Sequence, residues 1–294
     1  MKAKIQFISA MLIFGSLGLF VRPISVSSAA LSLMRGILAS VFLIAFVFFS
    51  RQQFSFAAVR KNLHLLLFSS AAMAFNWIFL FQAYKYTTIA NATLSYYCAP
   101  IIVVLLAPVI LKDTFSWQKL LCVVVAMFGM LFIVKSSPSQ SSSYDHIKGI
   151  FFGLCAAGLY ASVILTNKFF KDLSGLEATL MQLIFAVAVL LPYVLIFEPF
   201  SPVAIPSSSV PYILILGLFH TGFAYLLYFT GVKHLPASSI ASLSYLDPIS
   251  AVLFSAVLLS EPLNFFQILG GIFIIGSAFF SQKKPKSLNS ADTE

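Results

Sequence analysis

Charge is the scarcest property of this chain. Of 294 residues only 9% are Asp, Glu, Lys or Arg, against 60% hydrophobic, and the acids number nine. Soluble domains carry about 25% charged residues, so a water-facing surface built from this sequence is excluded. Six of the acids, Asp113, Asp145, Asp172, Glu177, Glu198 and Glu261, stand singly at the ends of apolar runs. There are no paired carboxylates, no HExxH and no phosphate-binding glycine loop. Their lack argues against an integral-membrane enzyme acting on lipid-linked substrates and against an ATP-driven pump. Cysteine is almost missing too. Cys98, Cys122 and Cys155 lie inside apolar runs without CxxC spacing, as small buried hydrophobes rather than disulfide partners or metal ligands. The net charge is +9, yet no basic patch alternates with exposed aromatics, so nucleic acid is not an expected partner.

What the sequence has instead is long apolar runs. A span needs about 20 mostly apolar residues, and ten stretches qualify: 5–21, 29–49, 63–84, 88–111, 117–134, 147–166, 176–197, 210–230, 236–259 and 264–281. The first follows Lys2 and Lys4 and precedes small residues, as in a signal peptide. It is long for one and fills the first slot of a repeat, so it is expected to stay as a span. Residues 5–134 form one five-span unit and 147–281 a second, joined by a Ser-rich linker at 135–146; the polar stretch 282–294 reads as a disordered cytoplasmic tail.

The two units match. Asn91–Val109, NATLSYYCAPIIVVLLAPV, returns 148 positions later as Ser239–Val257, SIASLSYLDPISAVLFSAV. Tyr97 falls on Tyr245, Pro100 on Pro248, Lys85 on Lys233 and Asp113 on Glu261. A proline inside an apolar span, present twice, predicts broken helices in a duplicated membrane protein, a transporter architecture. With the N-terminus inside, thirteen Lys and Arg fall in inner segments and four in outer ones, with Arg35 inside a span. Both termini are therefore expected in the cytoplasm. Five spans per unit is odd, so the second unit enters the membrane inverted. The expected fold is all-α and integral to the membrane, ten transmembrane helices as two inverted five-helix repeats.

Few side chains within the spans carry chemistry. Asp247 is the one acid near mid-membrane, where a charge costs at least about 2.5–3.5 kcal/mol. It can bind a substrate ammonium group, carry a proton, or lock two helices as a hydrogen-bonded carboxyl. On an ideal helix it shares a face with Ser244 and Ser250, while Ser238, Ser242 and Tyr245 lie opposite; which face lines a cavity stays open. His220 can relay a proton with Asp247 or tie helices together. Arg35 can neutralise Asp247, meet a substrate carboxylate, or snorkel to the outer interface, the last being the default. Asn76 offers an amide for substrate or for helix association. Tyr97, Tyr160, Tyr225, Tyr228 and Tyr245 supply aromatic walls with hydroxyl handles. Pro100 and Pro248 are hinge candidates, their rings clashing with the carbonyls of Tyr96 and Ser244, whereas Pro108 has no counterpart. Gly129, Gly270, Gly271 and Gly276 suit close helix packing.

These residues resemble the drug/metabolite transporter superfamily, in its ten-helix form built from two EamA-like repeats. The resemblance covers roughly 5–134 and 147–281. It rests on a repeated block of small residues, Pro, an apolar run, an acid and a Gly-containing helix. Arg35-Gly36 is similar to the arginine of that family's second helix, and Gln182 fills the matching slot in the second repeat. Phe14-Gly15 stands where Trp-Gly is frequent, and Asp113 where Glu is. The resemblance implies an inner-membrane exporter or importer of amino acids and other small metabolites, with a central cavity between the halves; the expected function is a secondary active transporter, an exporter working by alternating access. The expected site is Asp247, His220, Tyr245, Tyr97, Asn76 and Arg35, with no cofactor and no metal. Its partners are a small-molecule solute and the lipid bilayer, with proton coupling and a homodimer left open. A passive facilitator is the alternative.

Overall fold

A computed structural model describes residues 2–51, 54–112, 117–136, 145–198, 205–235, 239–240 and 243–281, and every regular element among them is helical. Asp113, Ser116, linker residues 137–144, Ser238, Ser242 and the 282–294 tail lie outside the described residues.

The chain runs α1 (Lys2–Gly15), α2 (Leu17–Val21), α3 (Ser28–Phe49), α4 (Phe56–Lys61), α5 (Leu63–Tyr86), α6 (Ile89–Tyr96), α7 (Ala99–Ile110) and α8 (Trp117–Ser136). The second half holds α9 (His146–Asn167), α10 (Gly175–Phe197), α11 (Val210–Leu214), a π-helical segment (Ile215–Phe223), α12 (Ala224–His234), α13 (Leu246–Leu258) and α14 (Phe265–Ser281). Helices are the element an apolar solvent demands, because each satisfies its own backbone. Side-chain caps start several of them. Ser27, Ser55, Thr88 and Asp145 each accept from an amide three residues on, and Ser174 with Glu177 forms a capping box.

Among the described residues six helical stretches are long and apolar enough to cross a membrane: Ser28–Phe49, Leu63–Tyr86, Ile89–Ile110, His146–Asn167, Gly175–Phe197 and Ser207–His234. Leu120–Ile133, Leu246–Leu258 and Phe265–Phe280 are shorter apolar helices. The structure departs from the expected spans in two places. The first span is interrupted at Ser16, between α1 and α2, and α4 is a short helix outside the expected ten.

Packing follows the sequence duplication. Counterparts meet each other: α3 packs on α10, α8 on α14, and the fourth expected span on the ninth through α6 and α13. Other contacts come in matched pairs. As α5 packs on α9, α1 packs on α12; as α7 packs on α9, α1 packs on α13; as α10 packs on α5, α3 packs on the π segment. Local geometry repeats as well. Lys112 and Ser260, 148 positions apart, both end their helices in the left-handed region, at φ 55° and 52°.

The glycines divide on contact. A Cβ at Gly129 would lie 2.7 Å from the Gly270 carbonyl oxygen, and one at Gly270 would lie 2.5 Å from that of Gly129, so α8 and α14 meet backbone to backbone. A Cβ at Gly271 would lie a tight 3.3 Å from the Leu94 methyls, whereas one at Gly276 would have nothing within 4 Å, so close packing does not require the latter glycine.

Candidate functional site

Two helix breaks meet at the middle of the molecule. The α6–α7 break falls at Tyr97 and Cys98, and the turn before α13 falls at Ser244 and Tyr245. Pro100 and Pro248 stand in the first turns of α7 and α13. There a missing N–H forfeits no helical bond, so the expected clash with the Tyr96 and Ser244 carbonyls is avoided by ending the preceding helix. The Tyr97 hydroxyl reaches across and donates to the Asp247 carboxylate. Ser250 Oγ donates to the Asp247 carbonyl at 3.0 Å. Gly15 lies behind that carbonyl: a Cβ added to it would sit 2.0 Å from Ser250 Oγ and 2.7 Å from Asp247 O.

Arg35 is the second charged group. It is only 4% exposed, so it does not snorkel. Its Nε donates to Thr221 Oγ1 at 2.5 Å, and its guanidinium lies 4.7 Å from the Trp77 ring centre and 5.4 Å from that of Phe81. These aromatic faces and the hydroxyl replace the water that snorkelling would reach. Thr221 in turn donates to the carbonyl of Leu216 at 2.8 Å, five residues back, in register with the π winding. The ion pairs among the described residues are Arg22–Glu261 and Lys61–Asp172, so Arg35 has no carboxylate partner there and does not neutralise Asp247.

Arg35 and Asp247 line one cavity of about 160 Å³, together with Asn76, Trp77, Tyr84, Thr93, Tyr96, Tyr97, Tyr160 and Tyr225. Phe14, Met73, Tyr97, Tyr160, Val163, Tyr225 and Asp247 also border a second chamber of about 460 Å³. That chamber passes Tyr228 and Gln182 and ends at Asn167, Ser174 and Gly175, which are exposed. Gln182 donates to Ser69 Oγ at 2.9 Å and to Asn167 Oδ1 at 2.8 Å. Toward the opposite end the first cavity is walled by buried Leu17, Leu80, Tyr84 and Thr93.

The predicted site residues therefore separate. Asp247, Tyr97, Asn76 and Arg35 come together. Asn76 also donates from Nδ2 to the Ala156 carbonyl at 2.7 Å, tying α5 to α9. His220 is 1% exposed and lines neither chamber. Its Nε2 is 3.0 Å from Ser16 Oγ and its ring centre 4.7 Å from that of Phe20, so of the two roles open to it His220 ties helices together and makes no contact with Asp247. Tyr245 turns away from both chambers to pack with Ile101, Ala126 and Phe279. The side of α13 that carries Asp247, with Ser244 just before it, is the one facing the chambers. Met73, Tyr84, Thr93, Tyr96 and the anchoring Thr221 were not foreseen in these places. The three cysteines are free, Cys122 buried and the other two half-buried. Among the described residues no group of three His, Cys, Asp or Glu is placed to hold a metal ion.

Comparison with known proteins supplies the remaining context. The model of the EamA-like transporter family matches residues 1–135 and 147–282. Uncharacterized transporter YxxF of Bacillus subtilis is 27% identical over 92% of this chain and 86% of its own length. An uncharacterized transporter of Archaeoglobus fulgidus is 26% identical over 86% and 87%. A solved crystal structure superposes with a TM-score of 0.64 over 95% of this chain and 96% of the other, at 17% identity, which marks a shared fold.

Proposed function

The chain belongs to the EamA-like transporter family, a membrane transporter, and we propose that it moves small organic metabolites such as amino acids by alternating access, as a secondary active exporter in the plasma membrane. The observation that carries this reading is the cavity at the meeting of the two repeats. It holds a carboxyl group and a guanidinium, Asp247 and Arg35, and among the described residues it continues to exposed positions at Asn167, Ser174 and Gly175. Arg35 is the anchor for a substrate carboxylate, and Asp247 with Tyr97 serves an ammonium group or the coupling proton. Asn76 and the tyrosines complete the wall. His220 and Tyr245 act from behind it, and Pro100 and Pro248 mark the hinges.

Ten spans with both termini cytoplasmic fit the way the connections sort. Those following the first, third, fifth and ninth expected spans bond to one another through Arg22, Thr87, His146 and Glu261. Those following the second and sixth bond through Lys61, Asn62, Lys171 and Asp172. On that topology the open chamber faces the cytoplasm. The exchange-symmetric packing supports inverted repeats, since two equivalent halves can trade conformations.

The test is uptake into proteoliposomes with an imposed pH gradient and a panel of labelled amino acids and small metabolites. Accumulation of a solute above its external concentration supports the proposal. Equilibration alone for every solute carried would make the protein a facilitator.

A further inference from the structure

Beneath the end opposite the open chamber lies a polar cluster that the transport reading does not use. The Glu261 carboxylate, 7% exposed, is paired through Oε1 with Arg22, and its Oε2 accepts from the Ile89 amide at 3.0 Å and from Ser255 Oγ. Arg22 Nη2 also donates to the Thr87 carbonyl at 3.2 Å. The pair thus joins the end of the first span to the connection between the ninth and tenth, across the two repeats. It sits above an apolar plug: Val21 and Ile89 are 0% and 1% exposed.

Resting on the alternating-access reading, we propose that Arg22–Glu261 is the latch that holds the outer end shut in this conformation and must part for the cavity to open outward. The physical case is reversibility. A buried ion pair gives up hydration for Coulomb attraction, and the two roughly offset each other. Opening returns water to both groups, so the latch can be strong in direction yet cheap to release. A purely apolar plug lacks this property, because parting it exposes surface that only re-closing hides again. Glu261 is held ready by Ser255 on α13, the helix before it, and by the Ile89 amide at the start of α6, so release at Arg22 leaves the carboxylate in place.

The experiment reads access to the cavity from each side. Met73, which borders both chambers, is replaced by Cys in a background with Cys98, Cys122 and Cys155 changed to Ser. Membrane-impermeant maleimide is applied to intact cells and to inside-out vesicles. The parent should label from the cytoplasmic side and slowly from outside. Arg22→Gln and Glu261→Gln should each raise outside labelling about tenfold, equivalent to about 1.4 kcal/mol in the closing equilibrium. The charge swap Arg22→Glu with Glu261→Arg should restore slow labelling. Arg22→Gln is the milder variant, since Arg22 is partly exposed and Glu261 keeps its other two donors. Outside labelling unchanged in both single variants, with cytoplasmic labelling intact, overturns the latch and leaves the transport reading standing. A parent labelled from neither side, or faster from outside, overturns both.

Discussion

One added methyl group at Gly15 tests how tightly the first span must press against the site. A Cβ there would lie 2.0 Å from Ser250 Oγ, 2.7 Å from the Asp247 carbonyl oxygen and 3.1 Å from the Ala251 nitrogen. The hydroxyl can rotate away; the two backbone atoms cannot move without α13. Gly15→Ala must therefore displace α1 from α13, an overpacking that costs typically about 1–3 kcal/mol. The displacement falls on the helix that holds Asp247, so uptake should drop along with stability. Two controls separate strain from helix propensity. Gly276→Ala, with open space around its Cβ, should be neutral or gain up to about 0.5–1 kcal/mol. Ser250→Ala placed in the Gly15→Ala background should rescue only part of the loss, because the carbonyl contact remains. The readouts are thermal denaturation of the detergent-purified protein and initial uptake rate. A Gly15→Ala protein as stable and active as wild type would refute the close approach and the geometry drawn around Asp247.

Other outcomes follow from the same structure. Thr221→Val should destabilise by about 1.5–3 kcal/mol, the worth of a hydrogen bond to a charged group, whereas Thr221→Ser should not; thermal denaturation decides. Ser260→Gly should stabilise by about 1 kcal/mol by relieving a left-handed non-glycine residue, readable in the same scan. Lys61 holds the exposed Asp172 carboxyl below its usual range, so any stabilisation exists above the ordinary Asp value near about 4 and fades only as pH falls below it. Asp172→Asn should thus lower stability only slightly, by the same amount at every pH between 5 and 8, as expected of a surface pair.

Much of the fold was legible because lipid permits so few solutions: apolar run length marks most of the helices, and matched prolines mark the broken pair. The site was legible in part. Asp247 stood out as a mid-span acid, but Arg35 reads as a snorkelling residue if only its distance from the span end is considered. Its burial depends on Thr221, Trp77 and Phe81, and on a π winding that has no sequence signature. Tyr97 and Tyr245 show the limit of repeat reasoning. They fill the same slot, yet one finds Asp247 across the cavity while the other finds Phe279, because the repeat counterpart of Asp247 is Ala99. His220 was expected at the centre. Its partner Ser16 lies in a helix break that contains no proline and could not be read from the apolar run.

The most direct test of the central claim places wild type and Asp247→Asn side by side in proteoliposomes with an imposed pH gradient and a carried solute. The substitution keeps the shape of Asp247 and an acceptor for the Tyr97 hydroxyl while removing the titratable proton. If Asp247 couples transport, wild type accumulates solute with the gradient and the variant only exchanges or equilibrates it. Full gradient-driven accumulation by Asp247→Asn would contradict the account and leave Asp247 a structural carboxyl.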